Sequence, residues 1–180
     1  MLRVILVSGY KRSGKDYVAE KLNERIEDSQ VLAFAEPMKE ILATTLGISK
    51  STFDKYKNNS ELLFTLDGTL VTDCRSMIQQ FGNEAMKSQF GNEVWTNLLI
   101  SKLPVDGVVI VSDWRFIVEY EGIVAKADEV ITIRVIDDNL TAGTHASEHE
   151  LDNFPFMYQL NNTPKSNDIL ESIDLLVKEF

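Results

Sequence analysis

The chain has 180 residues, of which 44% are hydrophobic and 26% are charged. It is long enough for one compact domain with a sizeable core and too apolar for wholesale disorder. The formal net charge is −10, and an acidic surface of this kind repels DNA and anionic membranes. Residues 1–30 nevertheless carry six basic and five acidic side chains, whereas residues 137–180 carry two and nine. Direct nucleic-acid binding is therefore disfavoured, but the N-terminal end is locally basic.

The cysteine content and the lengths of the apolar runs indicate the compartment. A single cysteine, Cys74, excludes an intramolecular disulfide and a zinc site of several cysteines. No apolar run approaches the roughly 20 residues of a membrane helix, and the run at residues 2–7 is too short for a secretory signal. These features predict a cytoplasmic protein without a membrane partner.

Short apolar runs alternate with segments of helical spacing. In chain order the predicted elements are strand Val4–Val7, helix Lys15–Ile26, strand Val31–Ala35, helices Met38–Leu46, Cys74–Phe90 and Asn92–Leu103, strands Val108–Val111, Val130–Ile136 and Phe156–Leu160, and helix Ile169–Val177. Because the strong runs are β-branched and do not alternate, they suit strands buried on both faces of a parallel sheet. The polar, turn-rich segment Ser49–Thr72 is predicted to leave the sheet and to contribute to a substrate lid. The order of elements predicts an α/β fold built from right-handed βαβ units.

Between the first predicted strand and helix lies G-Y-K-R-S-G-K-D, residues 9–16, which matches the phosphate-loop pattern G-x-x-x-x-G-K. Backbone N–H groups and the helix N-terminus would bind an anion there, and Lys15 would reach its phosphates. The alternative is an ordinary strand-to-helix turn with solvated lysines, which the strand before and the helix after disfavour. Asp16 stands where Ser or Thr is usual, and it is either a Mg²⁺ ligand or a contact of the helix dipole.

Four further segments follow the phosphate loop. They are F-A-E-P-M-K-E at 34–40, R-S-M-I-Q-Q-F-G-N-E at 75–84 with Trp95 after it, S-D-W-R-F at 112–116 and H-A-S-E at 145–148. In this order the five motifs resemble those of the deoxynucleoside monophosphate (dNMP) kinases of tailed bacteriophages, a branch of the P-loop nucleoside monophosphate kinases. The loop at residues 161–164 resembles their adenine-contacting loop.

The resemblance implies a three-layer P-loop fold, with a five-stranded parallel sheet and helices on both faces. It implies one kinase domain over residues 1–180, with a helical substrate-binding insertion at about 49–104 and a lid at about 137–147. The implied activity is Mg²⁺-dependent transfer of the γ-phosphoryl group of ATP to a dNMP, which supplies DNA precursors in the host cytoplasm if the chain is phage-encoded. A homodimer is compatible with the resemblance.

Site residues follow from the same motifs. The expected catalytic residues are Lys15, Arg115 and Arg134. The expected ATP-binding residues are Gly9, Lys11, Arg12, Ser13, Gly14, Lys15, Asp16 and Asn162. The expected dNMP-binding residues are Phe34, Lys39, Arg75, Gln79, Gln80, Asn83 and Trp95. The expected metal ligands are Asp16 and Asp113.

Several of these residues have a structural alternative. Asp113 ends a predicted strand at the edge where ligands bind, but it would also serve as a helix N-cap. Arg115 would reach a phosphoryl group or pair with Glu119 four residues on. Phe34 and Trp95 would line the nucleotide pocket or belong to the core.

The acceptor site is predicted from helical spacing. Arg75, Gln79 and Asn83 recur every four residues, so on an α-helix they share one face, where an arginine would bind a phosphate and amides would read a base. The alternative is a solvated polar face.

The sequence also departs from the family pattern. Asn83 replaces a usual Thr, Lys87 an arginine and Pro164 a glycine. No Lys or Arg lies between Arg134 and Lys165, so the predicted lid is poor in basic residues.

Three other functions are compatible with parts of the sequence. A kinase for another small molecule, such as dephospho-coenzyme A, would use the same loop. A nucleotide-binding regulator would use it without catalysis, although the guanine-reading N-K-x-D motif of GTPases is absent. The pattern H-x-x-E-H at residues 145–149 fits a zinc hydrolase, which needs both histidines on one helix. A capping box at residues 147–150 would start the helix after His145, and this disfavours zinc.

Overall fold

A computed structural model of the protein describes residues 1–59, 64–66, 70–141, 149–163 and 168–178. Its strands are β1 Leu2–Gly9, β2 Ser29–Leu32, β3 Phe64–Leu66, β4 Leu70–Thr72, β5 Gly107–Val111, β6 Glu129–Ile136 and β7 Tyr158–Asn161. Its α-helices are α1 Lys15–Asn23, α2 Glu36–Thr45, α3 Lys50–Asn59, α4 Cys74–Gln79, α5 Ser88–Phe90, α6 Val94–Ile100, α7 Ile117–Val124 and α8 Asp168–Val177. A π-helical segment, Gln80–Lys87, lies between α4 and α5.

The main sheet has five strands in the order β2-β5-β1-β6-β7, and every pairing in it is parallel. Strand β1 is the central strand, paired with β5 on one side and with β6 on the other. The predicted five-stranded parallel sheet is therefore confirmed. Strands β3 and β4 form a separate antiparallel pair.

Both faces of the sheet are covered, as its continuous apolar strands require. Ile5 and Val7 of β1 pack in one cluster with Val18 and Leu22 of α1 and with residues of α8. Successive side chains of a strand point to opposite faces, so the intervening residues of β1 join a second cluster, which contains Trp114 and residues of α7. Burial of each such side chain contributes about 1.5–3 kcal/mol. The predicted three-layer arrangement, with helices on both faces, follows from these two clusters.

The chain divides into two compact units. The sheet unit comprises Met1–Phe34 and Leu99–Phe180, and the helical unit comprises Ala35–Leu98. Helix α2 belongs to the helical unit because Leu42 packs there with other buried residues of that unit.

Some elements differ from the sequence prediction. The segment predicted as turn-rich contains α3 and the β3–β4 pair, and α7 was absent from the predicted elements, although the alternatives for Asp113 and Arg115 implied a helix there. The long helix predicted from Cys74 changes to π-helical geometry at Gln80. The prediction of a helix from Ser147 is wrong for the residues that the structure describes, because residues 149–153 form turns and the Glu150 carboxylate accepts the N–H of Ile117 at 2.8 Å.

In the described parts of the chain, no helix is long and apolar enough to cross a membrane.

Asp73 caps α4, the helix that carries Arg75. Its Oδ1 accepts the backbone N–H groups of Arg75 at 2.9 Å and Ser76 at 3.0 Å, and its Oδ2 accepts the Ser76 hydroxyl at 2.8 Å. The hydrogen bonds from Ser76, and then the one from Arg75, hold the pKa of the Asp73 carboxyl below its usual value. The ionised carboxylate therefore stabilises the fold.

The substitution Asp73→Ala should lower the free energy of unfolding by about 1 kcal/mol at neutral pH, because two N–H groups of the helix lose their acceptor. A depressed native pKa means that the stabilisation is present above the ordinary aspartate pKa and is lost as the pH falls through the native one. Urea unfolding of both proteins from pH 7 to pH 3 measures the difference, which should shrink on acidification. The exposed Asp106→Ala is the control, and an equal loss there would contradict the capping role.

Candidate active site

The carboxyl ends of all five parallel strands meet at one edge of the sheet, where α/β proteins bind ligands. The phosphate loop follows β1 at this edge, and Asp113 follows β5. Arg134 lies near the carboxyl end of β6, where it is paired with Ser8 of β1, and Asn162 follows β7 directly. The topology thus brings four separate segments of the sheet unit to one edge.

The phosphate loop is a tight turn that leads into α1. The Ser13 N–H donates to the Tyr10 carbonyl at 3.1 Å, and the Val18 N–H donates to the Gly14 carbonyl at 2.9 Å. Arg12 and Gly14 have left-handed φ angles of 69° and 93°. The backbone curls here as an anion-binding loop before a helix N-terminus requires.

Lys15 is held against its own loop. Only 9% of its surface is exposed, and its Nζ donates to the carbonyls of Gly9 at 2.8 Å and Tyr10 at 2.7 Å. Lys11, Arg12 and Asp16 are exposed. The loop therefore combines one buried, oriented ammonium group with charged side chains in solvent.

Asn162 binds the phosphate loop from the end of β7. Its Nδ2 donates to the Ser13 carbonyl at 2.9 Å, and its backbone N–H donates to the Ile136 carbonyl at 2.7 Å. A Cβ atom on Gly14 would collide with the Asn162 side chain, so glycine is required there for space as well as for its φ angle. Asn162 was predicted to bind ATP, and in the structure its side chain contacts the phosphate loop.

Replacement of Asn162 by alanine should raise the dissociation constant for ATP about fivefold, because the Ser13 carbonyl loses its donor and the loop is held less firmly. The matched control is Asn161→Ala, since the Asn161 side chain contacts Asp138 instead, with its Nδ2 3.3 Å from the Asp138 Oδ2. Calorimetric titration with ATP measures both. Equal effects of the two substitutions would contradict the assigned contact.

Arg134 is held in a polar and aromatic cluster beside the loop. Its Nη2 lies 3.0 Å from Asp152 Oδ1, and its Nη1 donates to the Ser8 hydroxyl at 3.3 Å. The guanidinium carbon lies 4.6 Å from the ring centroid of Tyr10 and 5.4 Å from that of Phe156. The side chain is 12% exposed, so the charge of Arg134 has a defined position next to residue 10.

The same cluster shifts two pKa values. Burial, and then the hydrogen bond of Tyr10 to Asp152 at 2.9 Å, raise the pKa of the Tyr10 hydroxyl. Burial alone would raise the pKa of Asp152, but hydrogen bonds from His149 and Tyr10 and the charge of Arg134 lower it below its usual value. Asp152 is therefore ionised and Tyr10 protonated at neutral pH.

The segment after β5 positions Asp113 and Arg115. Asp113 Oδ1 accepts the backbone N–H of Phe34 at 2.7 Å. Helix α7 has Phe116 as its N-cap, so the alternative in which Asp113 caps a helix is wrong. Glu119 is buried, and its carboxylate accepts the backbone N–H groups of Arg115 at 2.9 Å and Phe116 at 3.0 Å. Glu119 thus fixes the backbone of Arg115 and caps α7.

The expected acceptor-binding residues, except Phe34, lie in the helical unit. Lys39 Nζ lies 3.4 Å from carboxylate oxygens of both Glu36 and Asp54. Arg75 is half-buried in the first turn of α4, and Gln79 is exposed at its end.

The helical spacing used for these residues needs correction. Gln80 and Asn83 lie in the π-helical segment, where hydrogen bonds join residues five apart. The α-helical stripe that was predicted to join Arg75, Gln79 and Asn83 therefore applies only as far as Gln79.

Phe34 and Trp95 are core residues in this structure. Phe34 is 3% exposed and packs in the cluster that contains Trp114. Trp95 is 2% exposed, and its Nε1 donates to the Gly82 carbonyl at 3.1 Å. The core alternative describes the packing of both side chains.

Tyr10, Ser8 and Asp152 were not identified from the sequence. Tyr10 occupies a variable position of the loop pattern, and Asp152 is 142 positions away from it, so no spacing connects them.

In the described part of the chain, no group of three or more His, Cys, Asp or Glu residues is placed to hold a metal ion. His145 and Glu148 of the zinc alternative, and residues 142–147 of the predicted lid, lie outside the described residues.

The fold and the phosphate loop define a P-loop nucleotide-binding protein, and comparison with known proteins gives its family. The family model for phosphomevalonate kinase matches residues 7–128, more than half of the chain. The chain belongs to the phosphomevalonate kinase family. It is a small-molecule P-loop kinase, a phosphotransferase that binds ATP. The match includes the phosphate loop and Asp113 but ends before Arg134, Asp152 and Asn162.

Two other comparisons add little. No curated protein matches the sequence. Among solved structures, a shikimate kinase from Acinetobacter baumannii in complex with shikimate is similar, at 14% identity over 98% of this chain and 74% of that chain. The TM-score is 0.36, too low for any conclusion about this chain.

Proposed function

We propose that this kinase transfers the γ-phosphoryl group of ATP to the phosphate of a deoxynucleoside monophosphate. The observation that carries the proposal is the ordered set of five motifs at residues 9–16, 34–40, 75–84, 112–116 and 145–148. The family match supports it, because phosphomevalonate kinase is named for a small substrate that carries a phosphate, as a dNMP does. A place in the supply of DNA precursors follows from the product.

ATP is assigned to the sheet unit. The phosphate loop supplies backbone N–H groups, a helix N-terminus and the oriented ammonium group of Lys15. The Oγ of Ser13 is buried and has no hydrogen-bond partner among the described residues, which is rare for a native polar group and fits a loop that binds an anion. The exposed side chains of Lys11 and Arg12 add positive charge to the loop. Asn162, which follows β7, holds the loop through its hydrogen bond to the Ser13 carbonyl.

The acceptor is assigned to the helical unit. Arg75 lies in the first turn of α4, whose N-terminus is fixed by Asp73, and its planar guanidinium group suits a phosphate. Gln79 and Gln80 are exposed amides that would read a base edge. The ammonium group of Lys39 is close to the carboxylates of Glu36 and Asp54. Lys39 would bind the acceptor phosphate through an N–H that does not point at these carboxylates.

The reaction needs charge and position more than a base. The acceptor phosphate is already an anion at neutral pH, and the transition state is loose, so catalysis consists of alignment and charge neutralisation. Lys15, Arg115 and Arg134 are the proposed catalytic cations. Arg134 supplies its charge beside Tyr10, within the cluster described above.

Mg²⁺ fits the carboxylates of the sheet unit. Kinases commonly bind Mg²⁺ with one or two carboxylates and the substrate phosphates, and not with a cage of protein ligands. Asp16 in the first turn of α1 and Asp113 after β5 are the residues that would hold it. When bound there, the ion would neutralise charge on the phosphates.

A second candidate acceptor is phosphomevalonate, and the family match is the observation that favours it. An acceptor panel separates the two. Purified protein with Mg·ATP is assayed against the four dNMPs, their ribonucleotide counterparts, phosphomevalonate and dephospho-coenzyme A. Preference for a dNMP supports the proposal, and preference for another acceptor reassigns the kinase. ATP binding without turnover on any acceptor would favour the regulator.

A further inference from the structure

We propose that Asp152 is a positioning residue for the phosphate loop, where it holds Tyr10 and Arg134 for the binding of ATP. Asp152 lies in the turns of residues 149–153 that precede β7, outside the part of the chain that the family model matches. The proposal deepens the proposed function and rests on its assignment of ATP to the phosphate loop.

The carboxylate of Asp152 gathers three side chains. Its Oδ1 accepts the Tyr10 hydroxyl at 2.9 Å and the Arg134 Nη2 at 3.0 Å, and its Oδ2 lies 3.0 Å from His149 Nδ1. The Asp152 side chain is only 30% exposed. Hydrogen bonds to an ionised carboxylate are stronger than those between neutral groups, so this contact is able to hold a side chain in one position.

Tyr10 transmits this contact to the loop. Its side chain is held by Asp152, and its main-chain carbonyl accepts the Ser13 N–H at 3.1 Å and the Lys15 Nζ at 2.7 Å. A shift of Tyr10 would therefore move the oxygen that places Lys15. Tyr10 connects Asp152 with the ammonium group that is proposed to bind the phosphates of ATP.

Removal of the Asp152 carboxylate would change the affinity for ATP in two opposite ways. Loss of one negative charge beside the loop would strengthen the attraction for an anion, whereas loss of position would weaken binding. Solvent and salt screen the charge term at a partly exposed site, so it is expected to be small. The positioning term is expected to be larger, and the two effects predict opposite changes in ATP affinity.

A double-mutant cycle tests the positioning role of Asp152, with ATP binding to the 180-residue chain measured by titration. Tyr10→Phe removes the hydroxyl without a change of charge and should raise the dissociation constant for ATP about fivefold. Asp152→Ala should raise it about tenfold, and the double variant should bind as Asp152→Ala does, because both remove the same contact. Asp174→Ala is the matched control, because it also removes one carboxylate of the sheet unit, one that forms an ion pair with Arg25. It should leave the dissociation constant for ATP unchanged.

Steady-state kinetics separates positioning from folding. The KM for ATP should rise in Asp152→Ala while the KM for the acceptor stays constant, whereas a merely structural role would lower kcat through a smaller active fraction and leave both KM values unchanged. Unchanged or tighter ATP binding by Asp152→Ala, or additive effects in the cycle, would overturn the proposal alone. Failure of the wild-type protein to bind ATP would overturn the proposed function, and this proposal with it.

Discussion

Replacement of Lys15 by alanine should lower the rate of phosphoryl transfer by about a thousandfold. The buried Nζ of Lys15 is oriented by two loop carbonyls, so its charge has a fixed position before the reaction begins. Removal of one preorganised donor from a charged transition state typically costs about a hundred- to a thousandfold, and a full positive charge places Lys15 at the upper end. Single-turnover kinetics with saturating Mg·ATP measures the chemical step directly.

The control for this substitution lies in the same helix. Lys21 is on α1 as well, but its Nζ binds the Glu24 carboxylate at 2.6 Å on the protein surface. Lys21→Ala should leave the rate within about twofold, because exposed ion pairs contribute little. A Lys15→Ala rate close to that of wild type would contradict the assignment of the phosphate loop.

Replacement of Gly9 by alanine should lower the free energy of unfolding by about 3 kcal/mol and disable the loop. Gly9 has a φ angle of 151°, and a Cβ atom there would collide with the Val135 main-chain carbonyl and with the Ser13 hydroxyl. Because Val135 is the register partner of Gly9 in the pairing of β6 with β1, its backbone is held in the sheet. Overpacking and backbone strain each cost about 1–3 kcal/mol.

Gly47→Ala is the matched control for the effect of space. Gly47 also has a positive φ angle, 67°, but no atom of the described part of the chain lies within 4 Å of where its Cβ would be. Only the backbone strain applies, so the expected cost is about 1 kcal/mol. Urea unfolding of both variants measures the difference. Equal destabilisation would show that the collision with Val135 and Ser13 has no energetic importance.

The central fold was predictable from the sequence because its signals are local. The apolar run at Val4–Val7, the loop pattern after it and the helix from Lys15 are consecutive, and each has its own physical signature. Parallel pairing then brings the ends of β5, β6 and β7 to the same edge as the loop. The positions of Asp113, Arg134 and Asn162 at that edge follow from the topology.

Other features have no pattern in the sequence that indicates them and were missed. No spacing relates Tyr10 to Asp152, although their side chains are hydrogen-bonded. Helix α7 has only eight residues, and its start depends on a carboxylate, Glu119, that reaches back to the backbone. The change to π-helical geometry at Gln80 has no signature in the 3.6-residue spacing of apolar side chains.

The most direct test of the central claim follows the γ-phosphoryl group itself. Wild-type protein is incubated with Mg²⁺, ATP labelled in its γ-phosphate and each dNMP, and the products are separated and their labelled phosphate is located. We expect the label in the β-phosphate of a deoxynucleoside diphosphate, in an amount equal to the ADP formed. Label that stays in ATP or appears only in inorganic phosphate, with every dNMP left unchanged, would contradict the account.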